Sequence, residues 1–597
     1  MSNQNGQPNK KSPSMRELLI RIVAGILCFL MVFSLLVVVI SAYENRAVDL
    51  RIGEEVDVGL FYSDHLAESF TASTEKGFRL EIPSDEGILT FDNASEIKSI
   101  SVASGENLLK NGGTYVSAGK NTDIHVGGYR IMVSSYSTKV GGSADKDNIL
   151  LFKPTTSTTV AFDKDNIGGY INRISNTVET LGSHAFPAYI DGKYYVCLGA
   201  FESKEKAEAF LESFGNSYVC EYTITEPDKK AYSVIDFQTN KVIFHFSGIK
   251  SLSVTPVANV PFSANGGDEY YGRLLLRKNG EIGFEVVNTL CMEEYVASRL
   301  ASTVDPEWNT EALKAVATVI RTNAYAGIGD KSAHKDDGFD FCTDAHCGEY
   351  HGCGNVNENA ASAVNSTQNA VIKSEGKLIN AVFGTSYPGA TLSLEEAYGE
   401  ILSSSGKYLT GRLTAWENFE ERYAGSWQSE VSPYELYEML SQRVSDCKLE
   451  GNISEIKITN RSENGVYVTK IEFTDIFGNK LTLSGSEVIR NLLSGIVKSA
   501  SFNVGKSGEE IKETVLKYNP ESKSTAASEK VIKLEGAYGN FIFAGHGSGS
   551  GLGMSLNGVN DIVNNGYSYE DAYIDVINLY YTDVTVEKIK SNDPDEI

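Results

Sequence analysis

Residues 293–353 read EEYVASRLASTVDPEWNTEALKAVATVIRTNAYAGIGDKSAHKDDGFDFCTDAHCGEYHGC, and this stretch sets the plan of the C-terminal half. Leu313, Val316, Ala317, Ile320 and Ala324 recur at helical spacing, which predicts an amphipathic helix with one buried face. Thr310 is the expected N-cap, Glu311 in the first turn suits the helix dipole, and Gly327 offers a stop. A polar loop follows at once, with His334, Cys342, His346 and Cys347 inside fourteen residues. Two imidazoles and two thiols suit tetrahedral zinc in a structural role, and such soft donors argue against calcium or magnesium. His351 and Cys353 stand in reserve. The competing reading of the loop is a Cys342–Cys347 or Cys347–Cys353 disulfide with solvated histidines.

Outward from this stretch, length and charge bound the answer. A chain of 597 residues is too long for one core and suggests three or four domains. The 31 Tyr and 26 Phe favour strand-rich construction. With 78 acidic against 53 basic residues the net charge is −25, which repels phosphate backbones and excludes nucleic acid as an expected partner. Residues 1–21 are a polar tail carrying Lys10, Lys11, Arg16 and Arg21. Residues 22–42 then run 21 positions without a charge. That length crosses a bilayer as a helix, and the basic flank keeps the N-terminus cytoplasmic. A cleaved signal peptide ending near Ile40-Ser41-Ala42 is the alternative, and the length of the apolar run favours an anchor. The expectation is a single-pass cell-membrane protein with the bulk of the chain outside.

Between anchor and helix, residues 47–165 alternate and turn often, which implies a β-rich membrane-proximal module. From 166 the character changes. GKYYVCLGAFESKEKAEAFLESFGNSYVCEYTI reads as strand, helix, glycine stop and strand, with Ala207, Phe210, Leu211 and Phe214 on one helix face. Cys197 and Cys220 lie on two of these strands and can pair only if the strands are neighbours. Tyr194-Tyr195-Val196, Leu198-Gly199-Ala200-Phe201 and the SKEKAEAF that follows resemble the SPOR domain. The resemblance implies a small α+β module over 166–250 that binds glycan strands stripped of stem peptides, with Tyr194 and Phe201 as candidate sugar-stacking rings.

From Tyr271 the chain resembles a second family. Asn288-Thr289-Leu290-Cys291-Met292-Glu293-Glu294-Tyr295-Val296, Glu311-Ala312-Leu313-Lys314-Ala315, Arg321-Thr322 and the Phe339 to Cys347 loop are similar to the SpoIID/LytB domain. The resemblance spans 271–585. It implies an α+β domain acting on peptidoglycan, either as a lytic transglycosylase or as an enhancer of a wall amidase. In some members a loop of this pattern holds zinc, which would fall here on His334, Cys342, His346 and Cys347.

The family's catalytic acid is a glutamate, because breaking a glycosidic bond needs a proton on the leaving oxygen. Its position here is Thr303, whose hydroxyl is no acid near neutral pH. Asp305 and Glu307 are the only nearby substitutes, and Pro306 between them breaks local helix. Other motif positions differ too. The segment 384–391 has Gly384 in place of a histidine, while Ser386 and Thr391 remain. In GHGSGSGLGMSL, His546, Gly549, Gly551, Met554 and Ser555 are kept, and Ser550 and Leu556 replace a histidine and a glutamine. With Arg321, the retained residues form the expected glycan-binding set. Residues 501–530 are polar and expected as a loop, and 586–597 as a disordered tail. The expectation is a membrane-anchored partner of wall hydrolases with a thinned active site. The alternative is an active transglycosylase using Asp305 or Glu307.

Overall fold

A computed structural model gives the architecture. It describes residues 50–589, apart from 51–52, 68, 85–86, 93, 106–107, 112–113, 118–128, 140–156, 215–219, 279–282, 345, 400–405, 415, 418–424, 520–521 and 523. The expected tail at 1–21, the expected span at 22–42 and residues 590–597 lie outside the described residues. Among the described residues no helix is long and apolar enough to cross a membrane. The rest is a mixed α+β, multidomain arrangement.

The central sheet has seven strands in the order Phe341–Cys342, Glu55–Phe61, Phe284–Cys291, Arg273–Lys278, Ser251–Pro256, Phe78–Ser84 and Gly87–Phe91. Phe284, Val286, Val287, Asn288, Thr289 and Leu290 are all buried, the pattern of a strand covered on both faces. Residues 47–165 are therefore not a separate module, contrary to expectation. Glu55–Phe61 pairs antiparallel with Phe284–Cys291, Val58 facing Asn288, and its other edge takes the short strand of the Cys/His loop, Gly59 facing Cys342. Asp57 Oδ1 accepts a hydrogen bond from Thr289 Oγ1 across 232 positions of sequence. Local patterning carries no trace of so distant a partner.

The second sheet contains a β-α-β-β-α-β unit with one extra strand: Tyr129–Lys139 with Ser157–Ala161 paired on it, helix Ile167–Thr180, Ala185–Ile190, Lys193–Phe201, helix Lys204–Phe214 and Cys220–Thr225. Its strands lie in the order Cys220–Thr225, Tyr129–Lys139, Lys193–Phe201, Ala185–Ile190. Both helices cover one face, burying Ile174, Val178, Ala207, Phe210 and Phe214 against Ile131, Val133, Val196 and Leu198. The expected boundary at 166 cuts this unit, whose first strand begins at Tyr129. Cys197 and Cys220 sit on strands that flank Tyr129–Lys139 on opposite sides, so they are not neighbours.

In the C-terminal part, 501–530 is not a loop. It supplies the strand Phe502–Lys506 and a hairpin of Glu510–Asn519 with Ser524–Lys533. The second hairpin strand is exposed along nearly its whole length, so no apolar alternation betrays it. Residues 586–588, placed in the expected tail, belong instead to the strand Thr585–Lys588, which pairs with Ala370–Ser374.

Candidate functional site

The helix Met292–Thr303 follows its strand without a loop. Cys291 is the N-cap, and Glu294 Oε2 accepts from the Cys291 N–H at 2.9 Å, which closes a capping box. The next helix, Thr310–Gly327, is capped by Asn309, whose Oδ1 accepts from the Glu311 N–H at 3.0 Å. Thr310, the expected cap, is the first helical residue and donates to Asn359 Oδ1 at 3.0 Å. The two helices are locked by Arg321 and Glu293, both fully buried, with Nε–Oε1 at 2.9 Å and Nη2–Oε2 at 2.6 Å. Arg321 is thus a buried tie between helices and not a glycan contact.

A groove of about 690 Å³ opens beside this helix pair. Its wall includes Tyr295, Arg299 and Thr303 from the first helix, Asn323 from the second, His346 and Cys347 from the metal loop, and Gly384 and Thr385 opposite. Thr303 Oγ1 donates back to its own helix at Arg299 O, 2.7 Å away. Asp305 and Glu307 do not line this groove. Asp305 Oδ1 accepts from the Glu307 N–H at 2.9 Å in a local turn, and Glu307 Oε1 accepts from Asn357 Nδ2 at 2.6 Å. Two other carboxylates do reach the groove. Asp340 is consumed by the backbone amides of Asp57 and Gly329 at 2.9 and 2.8 Å, and Glu349 is exposed beside His351. Arg299 donates to Glu349 O and keeps a buried Nε without a partner.

The metal loop closes one end of the groove. One ligand atom from each of His334, Cys342, His346 and Cys347 lies within 4.8 Å of the others. Around a zinc ion with bonds of about 2.0–2.3 Å, tetrahedral donors stand roughly 3.3–3.8 Å apart. His346 Nε2 is 3.6 Å from Cys342 Sγ and 2.9 Å from His334 Nε2, so small adjustments bring the four onto one ion. Behind them Asp337 Oδ2 holds His334 Nδ1 at 2.9 Å, the orienting carboxylate such ligands use. The Asp344 N–H points at Cys342 Sγ, and Tyr62, just past the strand Glu55–Phe61, donates to Asp344 Oδ2 at 2.7 Å. The chemistry of the donor set fits a metal. Cys342, Cys347 and Cys353 are free thiols, and Cys353 and His351 stand outside the cluster.

A carboxyl that sequence reasoning missed joins the two loops opposite the helix. Glu417 is 6% exposed and accepts from Ser555 Oγ at 2.6 Å, from the Tyr387 N–H at 3.1 Å and from Ser386 Oγ. Burial outweighs these donors and pushes its pKa up to about 7. Its sequence setting, WENFEER, reads only as a solvated acidic run. Ser386 and Ser555 serve this carboxyl, Met554 is fully buried, and Thr391 donates to Thr410 O at 2.9 Å. Gly551 lies under Tyr467, and a Cβ there would come 2.7 Å from its ring. A Cβ at Gly384 would come 2.8 Å from the Tyr387 ring and hydroxyl, so Tyr387 fills the space a larger side chain would need. His546 and Gly549 line two further cavities, described by about 590 and 540 Å³. Tyr194 packs on Tyr189 at 5.1 Å and Phe201 on Phe210 at 5.1 Å, which makes both rings part of their module's packing.

Residues 281–374, which carry both helices and the metal loop, match the family described as SpoIID, Stage II sporulation protein. That match ties the segment to a sporulation family. An uncharacterized protein of Brachyspira hyodysenteriae is 28% identical over 253 residues, covering 41% of this chain and 66% of that protein. The match therefore spans just under two thirds of this relative.

Proposed function

We propose that this protein is a membrane-anchored, wall-facing component that holds peptidoglycan glycan strands in the Thr303 groove without cleaving them. It would act beside an active wall transglycosylase or amidase in sporulation or wall remodelling. The observation that carries the reading is the hydrogen bond from Thr303 Oγ1 to Arg299 O inside the groove. The hydroxyl stands where the resembled family has its acid, and Asp305 and Glu307 are bound in turns elsewhere. A general acid must reach the leaving oxygen within hydrogen-bond distance, and neither substitute faces the groove. Tyr387 over Gly384 adds to this, because it fills the place of a family histidine.

Zinc is the metal the loop suits, held by His334, Cys342, His346 and Cys347. When bound it would fix the groove's closed end, as structural zinc does. The β-α-β-β-α-β unit supports a SPOR-like module, with glycan binding over a surface other than Tyr194 and Phe201. Co-sedimentation of the full-length protein with purified glycan strands lacking stem peptides tests the binding. Protein in the pellet is expected, and protein left wholly in the supernatant would overturn the reading.

A further inference from the structure

The cavity of about 590 Å³ at His546 lies between the 510–533 hairpin and the sheet carrying Phe502–Lys506 and Phe541–His546. Among the described residues its wall carries Arg461, Lys512, Lys530 and His546 against a single lining carboxylate, Glu513, while Lys512 is already paired with Glu529 at 2.9 Å. In a chain of net charge −25 this is a local inversion of sign. The carboxylate is already engaged: Glu513 Oε2 lies 2.9 Å from His546 Nε2, with the side chain only 6% exposed.

Arg461 gives the cavity its character. Its guanidinium donates to Val466 O at 3.3 Å, Phe502 O at 2.9 Å and Asn503 Oδ1 at 2.6 Å, all neutral acceptors. Burial holds its pKa below the ordinary guanidinium value, with no acidic neighbour offsetting that. A largely buried cation held by neutral groups alone attracts an anion. Glu513, elsewhere on the same cavity wall, disfavours a dianion such as phosphate. The remaining wall includes Ser426, Asn464, Ser501 and Asn503, amides and hydroxyls suited to sugar hydroxyl groups. The volume is that of a small-ligand pocket.

Two loops join this cavity to the Thr303 groove. Thr385 and Leu556 line the groove, Pro388 and His546 line the cavity, and Ser386 bridges Ser548 between them.

We propose that this cavity is a second subsite, taking a carboxylate-bearing sugar unit of the N-acetylmuramic acid class. The carboxylate faces Arg461 and Lys530, and the ring hydroxyls face the His546–Glu513 pair. The proposal rests on the glycan reading above. Its test is calorimetric titration of the full-length protein with N-acetylmuramic acid, N-acetylglucosamine and a free dipeptide. N-acetylglucosamine has the same ring and no carboxylate, so it is expected to bind at least about tenfold more weakly. Lys530 is exposed, so Lys530→Gln leaves the fold intact, and it is expected to weaken N-acetylmuramic acid roughly three- to fivefold. Added salt weakens binding in the same direction. Equal affinity for the two sugars, an unchanged Lys530→Gln variant, or tighter binding of the dipeptide overturns the subsite. Lys530-dependent sugar binding without strand co-sedimentation would instead remove the strand-holding reading and leave the cavity standing.

Discussion

Arg321 and Glu293 meet as a two-point ion pair entirely out of solvent, with Nη2–Oε2 at 2.6 Å, and the Asn369 N–H adds a third contact to the carboxylate at 3.0 Å. Arg321 also donates to Ala370 O and Val364 O. One pair therefore fixes the first helix, the second helix and the turn before Ala370–Ser374 against each other. The groove depends on that arrangement, although neither residue lines it.

Arg321→Leu leaves Glu293 buried and unpaired, which is expected to cost about 3–5 kcal/mol. Denaturant titration of this variant measures the loss. The double variant with Glu293→Leu should recover much of it, since no charge is then stranded. A single variant as stable as the parent would show that the pair does not lock the helices.

The metal loop makes a second prediction. If the proposed zinc is held, chelation is expected to lower the thermal midpoint, and Cys342→Ser to lower both the metal content and the response to chelator. Metal content and melting measured on the same sample check this. Tyr62→Phe, which removes the bond to Asp344, should cost about 1 kcal/mol of stability.

Glu417 sets a pH dependence. Its pKa in the folded protein, about 7, lies above the ordinary value of 4.5, so the folded state binds the proton more tightly. Its contribution is complete below pH 4.5 and is lost as pH rises to about 7, a change on the order of 3 kcal/mol. Stability curves of the parent and of Glu417→Gln should therefore differ in slope across this window. Parallel curves would place no titrating carboxyl between Ser386 and Ser555.

How much of this was legible in the sequence follows from the range of each interaction. The Lys204–Phe214 and Thr310–Gly327 helices and the Cys/His loop were legible, because helical period and donor type are local properties. The insertion of Glu55–Phe61 beside Phe284–Cys291 was not, because strand pairing over such a separation leaves no local pattern. Arg321 carries no mark of its partner, so a buried tie and an exposed sugar contact look alike in one dimension. The Asn309 cap was a one-residue choice between two good cappers. Glu417 was hidden in an acidic run, because its burial comes from packing that the run itself does not show.

Thr303→Glu returns a carboxyl to the groove four residues beyond Arg299, on the wall that faces Thr385. If the groove keeps its shape and lacks only the acid, this variant should release anhydro-sugar products from glycan strands, and Thr303→Gln should not.

The measurement that bears most directly on the proposal of a groove that holds without cutting is the product analysis of the unaltered protein. Full-length protein incubated with glycan strands free of stem peptides, under conditions where it co-sediments with them, is expected to yield no anhydro-sugar ends. Release of such ends, abolished by Asp305→Asn or Glu307→Gln, would contradict the account.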